Sequence, residues 1–356
     1  MLMRNAIWRA GKIIAVLMMF AGAFSASTAY ACGCGIYIPR EGDAQVAQER
    51  SLLRWDGARE TIVMSLGVLG ASKQAAIILP VPSRADVKLA DAKIFDELQE
   101  MTKPLERTET EWVFMPMLGA GALPREGVGA GAPPVTVLSR QNIGPFDVAN
   151  LSATDANALK TWLDENGFQI DPRTTEILAP NIEKNWTFVA IRVRPDQTDA
   201  QLQGDLAPLE IAFDANELIY PMRSTALADN QQTVVLYVLA DHRVEKNVSF
   251  GASRVSYANW IEPATTTSAP TLARYIDRRY FLTKYIDSVN PKQVNNDFAF
   301  TFAAQDTPYR EVQIKRVRQD ISGIVLLACF GAVSFGVLAC VILLVLFARK
   351  RAARPA

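Results

Sequence analysis

Two closely spaced cysteines are the first residues in this sequence that could do chemistry. Cys32-Gly33-Cys34-Gly35 holds one pair, and the other two cysteines, Cys329 and Cys340, lie in an apolar stretch near the carboxyl end. The pair could form a short disulfide, whose small ring would be strained and easily reduced. It could also do redox or thiolate metal chemistry, be acylated, or link to a second chain. Two thiolates are only half of a tetrahedral zinc site, so the sequence predicts neither a metal nor a cofactor.

The single histidine is the second candidate. His242 stands in Asp241-His242-Arg243 after a predicted strand, where a carboxylate could orient the imidazole as a general base. A nucleophile would have to come from elsewhere in the fold, since Gly-x-Ser-x-Gly is absent. The alternative interpretation is an ordinary polar residue at a strand end. Asp241 and His242 are therefore the catalytic candidates, and the sequence leaves open whether the protein is an enzyme.

Short apolar runs that would position these residues occur throughout the chain. The predicted strands are 61–69, 75–81, 135–138, 146–151, 188–193, 209–213, 218–220, 233–240, 280–289 and 297–302. The first two are separated by Gly70-Ala71-Ser72-Lys73, which predicts a hairpin. Because strands outnumber helices and do not alternate with them, the fold class is predicted to be α+β with mainly antiparallel strands and a few amphipathic helices.

Three helices are predicted among the strands. The first follows Asp91, buries Ile94, Leu98 and Met101, and ends before Pro104. The second opens at Ser152, buries Leu163 and ends at Gly167, and the third spans 271–279. Residues 115–134 are rich in glycine and proline without a phosphate-binding pattern, so this stretch is predicted to be a flexible insertion and a boundary between subdomains.

The first 31 residues have the pattern of a secretory signal peptide. A basic start ends at Lys12, an apolar run covers 13–24, and Ala29-Tyr30-Ala31 precedes Cys32. Small side chains at those two alanine positions favour cleavage after Ala31. An uncleaved anchor and an acylated Cys32 are the alternatives.

Residues 321–347 carry no charge and are long enough to cross a membrane. Basic residues flank this span on both sides, so its orientation is not decided by the positive-inside rule. The signal peptide decides it: residues 32–320 are predicted to lie outside the cytoplasm and 348–356 inside, in a single-pass membrane protein.

The distribution of acidic and basic residues along the chain narrows the classes of molecule that the protein could bind. The chain has 37 basic and 37 acidic residues, but seven basic residues and no acids lie in 1–31 and after Phe347. The remainder holds 30 basic and 37 acidic residues. A net negative exported region repels phosphate backbones, which argues against nucleic-acid binding.

Several short motifs occur in an order that resembles domain-of-unknown-function family 2330, an exported bacterial family. The matching stretches are Cys32-Gly33-Cys34-Gly35, Leu79-Pro80-Val81-Pro82-Ser83, Gly144-Pro145-Phe146-Asp147-Val148, Ser152-Ala153-Thr154-Asp155-Ala156 and Trp162-Leu163-Asp164-Glu165-Asn166-Gly167-Phe168. The resemblance implies that the membrane is the bacterial cell membrane and that residues 32–320 lie on its extracytoplasmic side, which is the periplasm in a Gram-negative cell. It transfers no catalytic residue.

These observations favour a membrane-anchored binding or scaffolding domain of the bacterial envelope, with the membrane and a protein in the envelope as its partners. The alternative is an envelope enzyme or redox protein that uses Cys32 and Cys34. A hydrolase centred on Asp241 and His242 is the third hypothesis.

Overall fold

A computed structural model of the 356-residue chain defines the fold. The structure describes residues 30–31, 35–42, 44–113, 146–151, 161, 163, 165–168, 171, 173–193 and 202–352.

Strands make up most of the described chain. They are β1 (Tyr30–Ala31), β2 (Ile36–Pro39), β3 (Gln45–Trp55), β4 (Arg59–Ser72), β5 (Ala75–Val81), β6 (Asp86–Leu89), β7 (Leu105–Val113), β8 (Phe146–Leu151), β9 (Thr187–Val193), β10 (Leu202–Asp205), β11 (Leu209–Asp214), β12 (Ile219–Tyr220), β13 (Gln232–Ala240), β14 (Val244–Lys246), β15 (Gly251–Ile261), β16 (Tyr280–Val289), β17 (Phe298–Phe302), β18 (Tyr309–Arg310) and β19 (Val312–Asp320). The α-helices are α1 (Lys93–Met101), α2 (Arg173–Glu183), α3 (Pro270–Ala273) and α4 (Ser322–Ala352). Short 3-10 helices occupy Arg223–Leu227, Pro263–Thr266 and Pro291–Gln293.

The chain divides into two units. The larger unit holds the described residues up to Pro104 and those from β8 to Glu311. The smaller unit holds β7, which begins at Leu105, and the described residues from Val312 onward. The predicted boundary at 115–134 lies outside the described residues.

The larger unit is built on a nine-stranded sheet. Its strand order is β18-β15-β16-β13-β3-β4-β11-β6, with β10 also paired to β4. All of its pairs are antiparallel except β3 with β13, which run parallel at the centre. A five-stranded sheet, β1-β2-β5-β9-β8, and a three-stranded sheet, β12-β17-β14, complete the unit. The predicted α+β class with mainly antiparallel strands is confirmed.

Three apolar clusters fill the spaces between layers. The largest lies between the inner face of the nine-stranded sheet and the two smaller sheets. It contains Leu236 from the nine-stranded sheet, Ile77 from the five-stranded sheet and Phe298 from the three-stranded sheet. The second lies on the outer face of the nine-stranded sheet under α1 and α3, and the third lies on the outer face of the five-stranded sheet under α2. The larger unit is thus layered helix, sheet, sheet, helix, which buries both faces of each main sheet.

Helix α1 forms as its sequence predicts. The Asp91 carboxylate accepts a hydrogen bond from the Lys93 amide at 3.1 Å, which satisfies one free N–H at the helix start. Ile94, Phe95 and Leu98 are buried against the sheet. The predicted end of the second helix is also confirmed, because Gly167 has φ +75°, a conformation typical of the residue after a helix.

The predicted hairpin between 61–69 and 75–81 is wrong, although both strands exist. β4 pairs with β3, β10 and β11, whereas β5 pairs with β2 and β9 in the other sheet. Their inner side chains, such as Val68 and Ile77, face one another across the largest apolar cluster. The two strands are apolar on both faces, so burial is better satisfied by stacking them in two sheets than by pairing their edges.

Some elements were not predicted from the sequence. β3 and β15 contain several charged or polar residues, and α2 contains Pro180. The predicted helix 271–279 is confined to α3, because strand β16 begins soon after it. The predicted strand 135–138 and the predicted helix start at Ser152 lie outside the described residues.

The smaller unit contains a two-stranded parallel ribbon and the long apolar helix. β7 pairs with β19 residue by residue, from Leu105 opposite Val312 to Val113 opposite Asp320. Helix α4 follows directly, and within it Leu327–Leu346 has a mean hydropathy of 2.7 and is exposed along its length. The predicted C-terminal apolar helix is confirmed as one long enough to cross a membrane.

The predicted signal-peptide cleavage site lies at the end of the first described strand. Tyr30 and Ala31 form β1, opposite Tyr37 and Ile36 of β2. Cleavage after Ala31 would remove this strand and leave β2 as the edge of the five-stranded sheet.

Candidate functional site

Three strands of the nine-stranded sheet end together beside His242. Ala240, the last residue of β13, and Trp260, near the end of β15, both lie opposite Phe281 at the start of β16. His242 lies two residues after the end of β13, and Phe302 ends β17 opposite Val244. The sheet register therefore brings together segments that are far apart in the sequence.

An aromatic and basic cluster covers this end of the sheet. We call it the aromatic–basic patch; it consists of His242, Trp260, Arg279 and Phe302. The guanidinium carbon of Arg279 lies 4.1 Å from the centre of the Trp260 ring, a close cation–π stack. The His242 ring lies edge-on to Phe302, with centroids 5.2 Å apart, and 6.4 Å from Trp260.

His242 is held by a carboxylate that the sequence did not single out. Its Nδ1 lies 2.8 Å from Asp306 Oδ2, and the Arg243 amide donates to Asp306 Oδ1 at 2.8 Å. Partial desolvation opposes ionisation of this carboxyl, but the hydrogen bonds from His242 and Arg243 outweigh it and lower the pKa of Asp306. Asp306 therefore stays ionised and fixes the imidazole orientation.

The expectation that Asp241 orients His242 is wrong. The Asp241 carboxylate instead accepts a hydrogen bond from Arg278 at 2.7 Å. Successive residues beside a strand end point in different directions, so adjacency in sequence did not bring the two side chains together. Among the described residues that contact His242, none supplies a serine, threonine or cysteine nucleophile.

The patch is accessible to another molecule. The His242 side chain is 53% exposed, Phe302 is 51% exposed, and Arg279 is exposed. Within the described part of the chain no carboxylate forms an ion pair with Arg279, whereas Asp241 neutralises neighbouring Arg278. The arrangement presents apolar rings beside an open cation, which suits binding rather than bond-making chemistry.

The other predicted site residues are not placed by the structure. Cys32 and Cys34 lie outside the described residues, and their disulfide or redox role stays a prediction. Over the ranges that are described, no three His, Cys, Asp or Glu side chains gather into a group that could hold a metal ion.

A shallow groove elsewhere is lined partly by the Leu79–Ser83 motif. Pro82, Ser83, Asp214 and Asn216 are among the residues that line it. The Ser83 hydroxyl donates to the Asp214 carbonyl at 2.8 Å and accepts from the Asp214 amide at 3.0 Å. These polar groups satisfy each other, so the motif is explained by its role in fixing a loop, and the patch is the better candidate site.

A buried carboxyl group lies in the core of the larger unit, away from the patch. Glu60 is fully buried, and its Oε2 accepts a hydrogen bond from the Ile219 amide at 3.1 Å. Its other oxygen has no hydrogen-bond partner in the described structure. Desolvation by burial outweighs that single hydrogen bond and raises the pKa of Glu60 well above its ordinary value.

Glu60 should make stability fall as the pH rises. The unfolded chain loses this proton near its ordinary pKa of about 4.3, while the folded chain keeps it to higher pH, so the unfolding free energy drops by up to about 1.4 kcal/mol per pH unit between the two pKa values. Glu60→Gln is expected to abolish that slope in denaturant titrations of the detergent-solubilised protein. Exposed Glu217→Gln is the control that should keep it; an unchanged slope in Glu60→Gln would contradict the assignment.

Most residues of the aromatic–basic patch could not be predicted from the sequence. Trp260, Arg279, Phe302 and Asp306 were not among the candidates identified in the sequence. His242 alone was marked by its residue type. The others become neighbours only through the register of β15, β16 and β17, for which the sequence carries no local signal.

The fold and α4 define a β-rich domain followed by a helix that could anchor it in a membrane. The chain belongs to domain-of-unknown-function family 2330. The family's sequence model, described as an uncharacterized protein conserved in bacteria, matches residues 28–301. The resemblance inferred from the motifs is thereby confirmed.

Other comparisons add little. No curated protein matches the chain in sequence. Among solved structures, it is similar to baculovirus P35, with 11% identity, a TM-score of 0.35, and coverage of 75% of this chain and 99% of that one. The caspase-8/P35 complex gives 9% identity, a TM-score of 0.32, and coverage of 71% and 96%. TM-scores this low do not establish a shared fold.

Proposed function

We propose that the protein is a membrane-tethered binding domain of the bacterial envelope. Its signal sequence exports residues 32–320, α4 anchors them, and residues 348–356 remain in the cytoplasm. The aromatic–basic patch is the surface that meets a protein partner.

The stack of Arg279 on Trp260 is the observation that carries this proposal. Tryptophan and arginine are the residues most enriched among those that dominate binding energy at protein interfaces. Arg279 lies over the ring face at 4.1 Å, so the edge of its guanidinium is available to a carboxylate. Half-exposed Phe302 adds apolar area next to it. The partner that fits is a protein segment with a carboxylate beside an apolar or aromatic side chain.

Capture from native membranes tests the patch. Tagged full-length protein is solubilised in detergent, and co-purified proteins are quantified against the bait. We expect one envelope partner with the wild type and about thirtyfold weaker binding for Trp260→Ala, the equivalent of about 2 kcal/mol for an interface hot spot. Arg279→Ala should weaken the same partner; since Arg279 is exposed, this variant should fold normally.

The matched control is Leu69→Ala. Leu69 is also exposed, at 59%, but lies opposite Gln45 at the other end of the nine-stranded sheet. This variant should retain the partner. Equal recovery with wild type, Trp260→Ala and Arg279→Ala, or purification of the wild type alone, would refute the proposed binding surface.

A further inference from the structure

The ribbon formed by β7 and β19 is incomplete as a sheet. No other described strand pairs with either of its strands. Four of its apolar side chains, Leu105, Val312, Ile314 and Val317, are 45–50% exposed. Parallel pairs are normally found buried within larger sheets, and an isolated two-stranded sheet is marginal in water. Both outer edges of the ribbon therefore carry backbone N–H and C=O groups that another strand could satisfy.

The two strands carry opposite net charge. β7 has three acids, Glu106, Glu109 and Glu111, against one base, Arg107. β19 has three bases, Lys315, Arg316 and Arg318, against one acid, Asp320. Inside the ribbon Glu109 lies opposite Arg316, and Glu111 lies opposite Arg318 with 3.4 Å between their charged atoms. One edge of the ribbon is thus mainly acidic and the other mainly basic.

The helix that follows restricts how a second ribbon can approach. β19 continues within two residues into α4, so copies held in one membrane share the same chain direction. A neighbour's strand then arrives parallel, as β7 and β19 already are. Pairing β7 with β7, or β19 with β19, would oppose like charges, whereas pairing β7 with β19 of the next copy repeats the attraction found within one ribbon.

We propose that the ribbon assembles copies of this chain in a ring. β7 of one copy pairs in parallel with β19 of the next, and because each ribbon has one edge of each kind, the same head-to-tail contact repeats from copy to copy. The partner is a second copy of the same chain, and the inference is independent of the patch.

Cross-linking in membranes tests the ribbon contact. Thr110 and Val317 lie opposite each other and are uncharged, so cysteines there leave the charges intact. Full-length chains with Thr110→Cys and one epitope tag are co-expressed with chains carrying Val317→Cys and a second tag, and a short bis-maleimide is added. Because each chain has one added cysteine, a product with both tags joins two copies. We expect this mixed product to be several times more abundant than either self-linked product.

The controls separate this contact from chance encounters. The parent without added cysteines gives the background from Cys32, Cys34, Cys329 and Cys340. Exposed Ala252→Cys, in the larger unit, should not exceed that background. Reversing the charges of β19 alone should reduce the mixed product, and reversing those of β7 as well should restore it. A dominance of self-linked products, or no product above background, would overturn the proposal.

Discussion

Replacing Lys246 by methionine is expected to lower the unfolding free energy by about 3–5 kcal/mol, the cost of leaving one partner of a buried ion pair alone. The Lys246 Nζ forms an ion pair with Asp287, and both side chains are only 3% exposed. The ammonium also lies 4.2 Å from the centre of the Phe298 ring and 4.8 Å from that of Tyr285. Without Lys246, the Asp287 carboxylate would remain buried without its cation.

Burial lowers the pKa of Lys246, and attraction to Asp287 only partly offsets that effect. The pair is therefore poorly solvated, and removing both charges should cost much less than removing one. Lys246→Met combined with Asp287→Leu is expected to recover most of the lost stability. Denaturant titration of the solubilised full-length protein, followed by tryptophan fluorescence, measures these differences.

The matched control is Lys103→Met. Lys103 also pairs with a carboxylate, that of Glu100, but both side chains are more than half exposed. Exposed pairs contribute about 0–1 kcal/mol. If Lys246→Met costs no more than Lys103→Met, the ion pair does not hold the core as we infer.

The second large effect concerns topology. Alkaline phosphatase fused after Gln319 is expected to be active, and the same enzyme fused after Ala356 is expected to be inactive. This enzyme needs disulfides that form outside the cytoplasm, so its activity reports the side of the membrane. α4 is the one described helix that could cross between the two fusion points.

Immunoblots of both fusions are needed to show equal amounts of protein. A fluorescent protein that matures only in the cytoplasm provides the reciprocal test, with signal expected after Ala356 and none after Gln319. The reverse pattern for either reporter would place the larger unit in the cytoplasm and invalidate the proposed envelope function.

Local sequence patterns predicted the elements with strong apolar signals. β5 is buried at every residue, and its unbroken apolar run predicted a strand. α4 was predicted by length and lack of charge alone. β3 was missed because Glu49 and Arg50 break its pattern, yet Glu49 is buried and shares a hydrogen bond with Tyr220 from another sheet. Tertiary partners, which no local window contains, made that polar strand possible.

Pairing was harder to predict than the strands themselves. β4 and β5 follow one another closely, so a hairpin was the simplest prediction, but each strand finds its neighbours far along the chain. The candidate site has the same origin: His242 and Asp306 meet only after β16 and β17 are in place. Residue type identified the histidine, and the fold supplied its carboxylate and its aromatic neighbours.

The parallel pairing of β3 with β13 sets an order of events during synthesis. Gln48 of β3 lies opposite Thr233 of β13. β3 therefore cannot pair on this edge until the ribosome has made β13, much later in the chain. Until β13 is made, the β3 edge of the β3–β4 hairpin stays unpaired, and until β9 is made, β5 lacks one of its two neighbours. Such non-local pairing slows folding and exposes aggregation-prone edges. The first half of the growing chain therefore exposes strand edges and apolar surface that the folded protein buries.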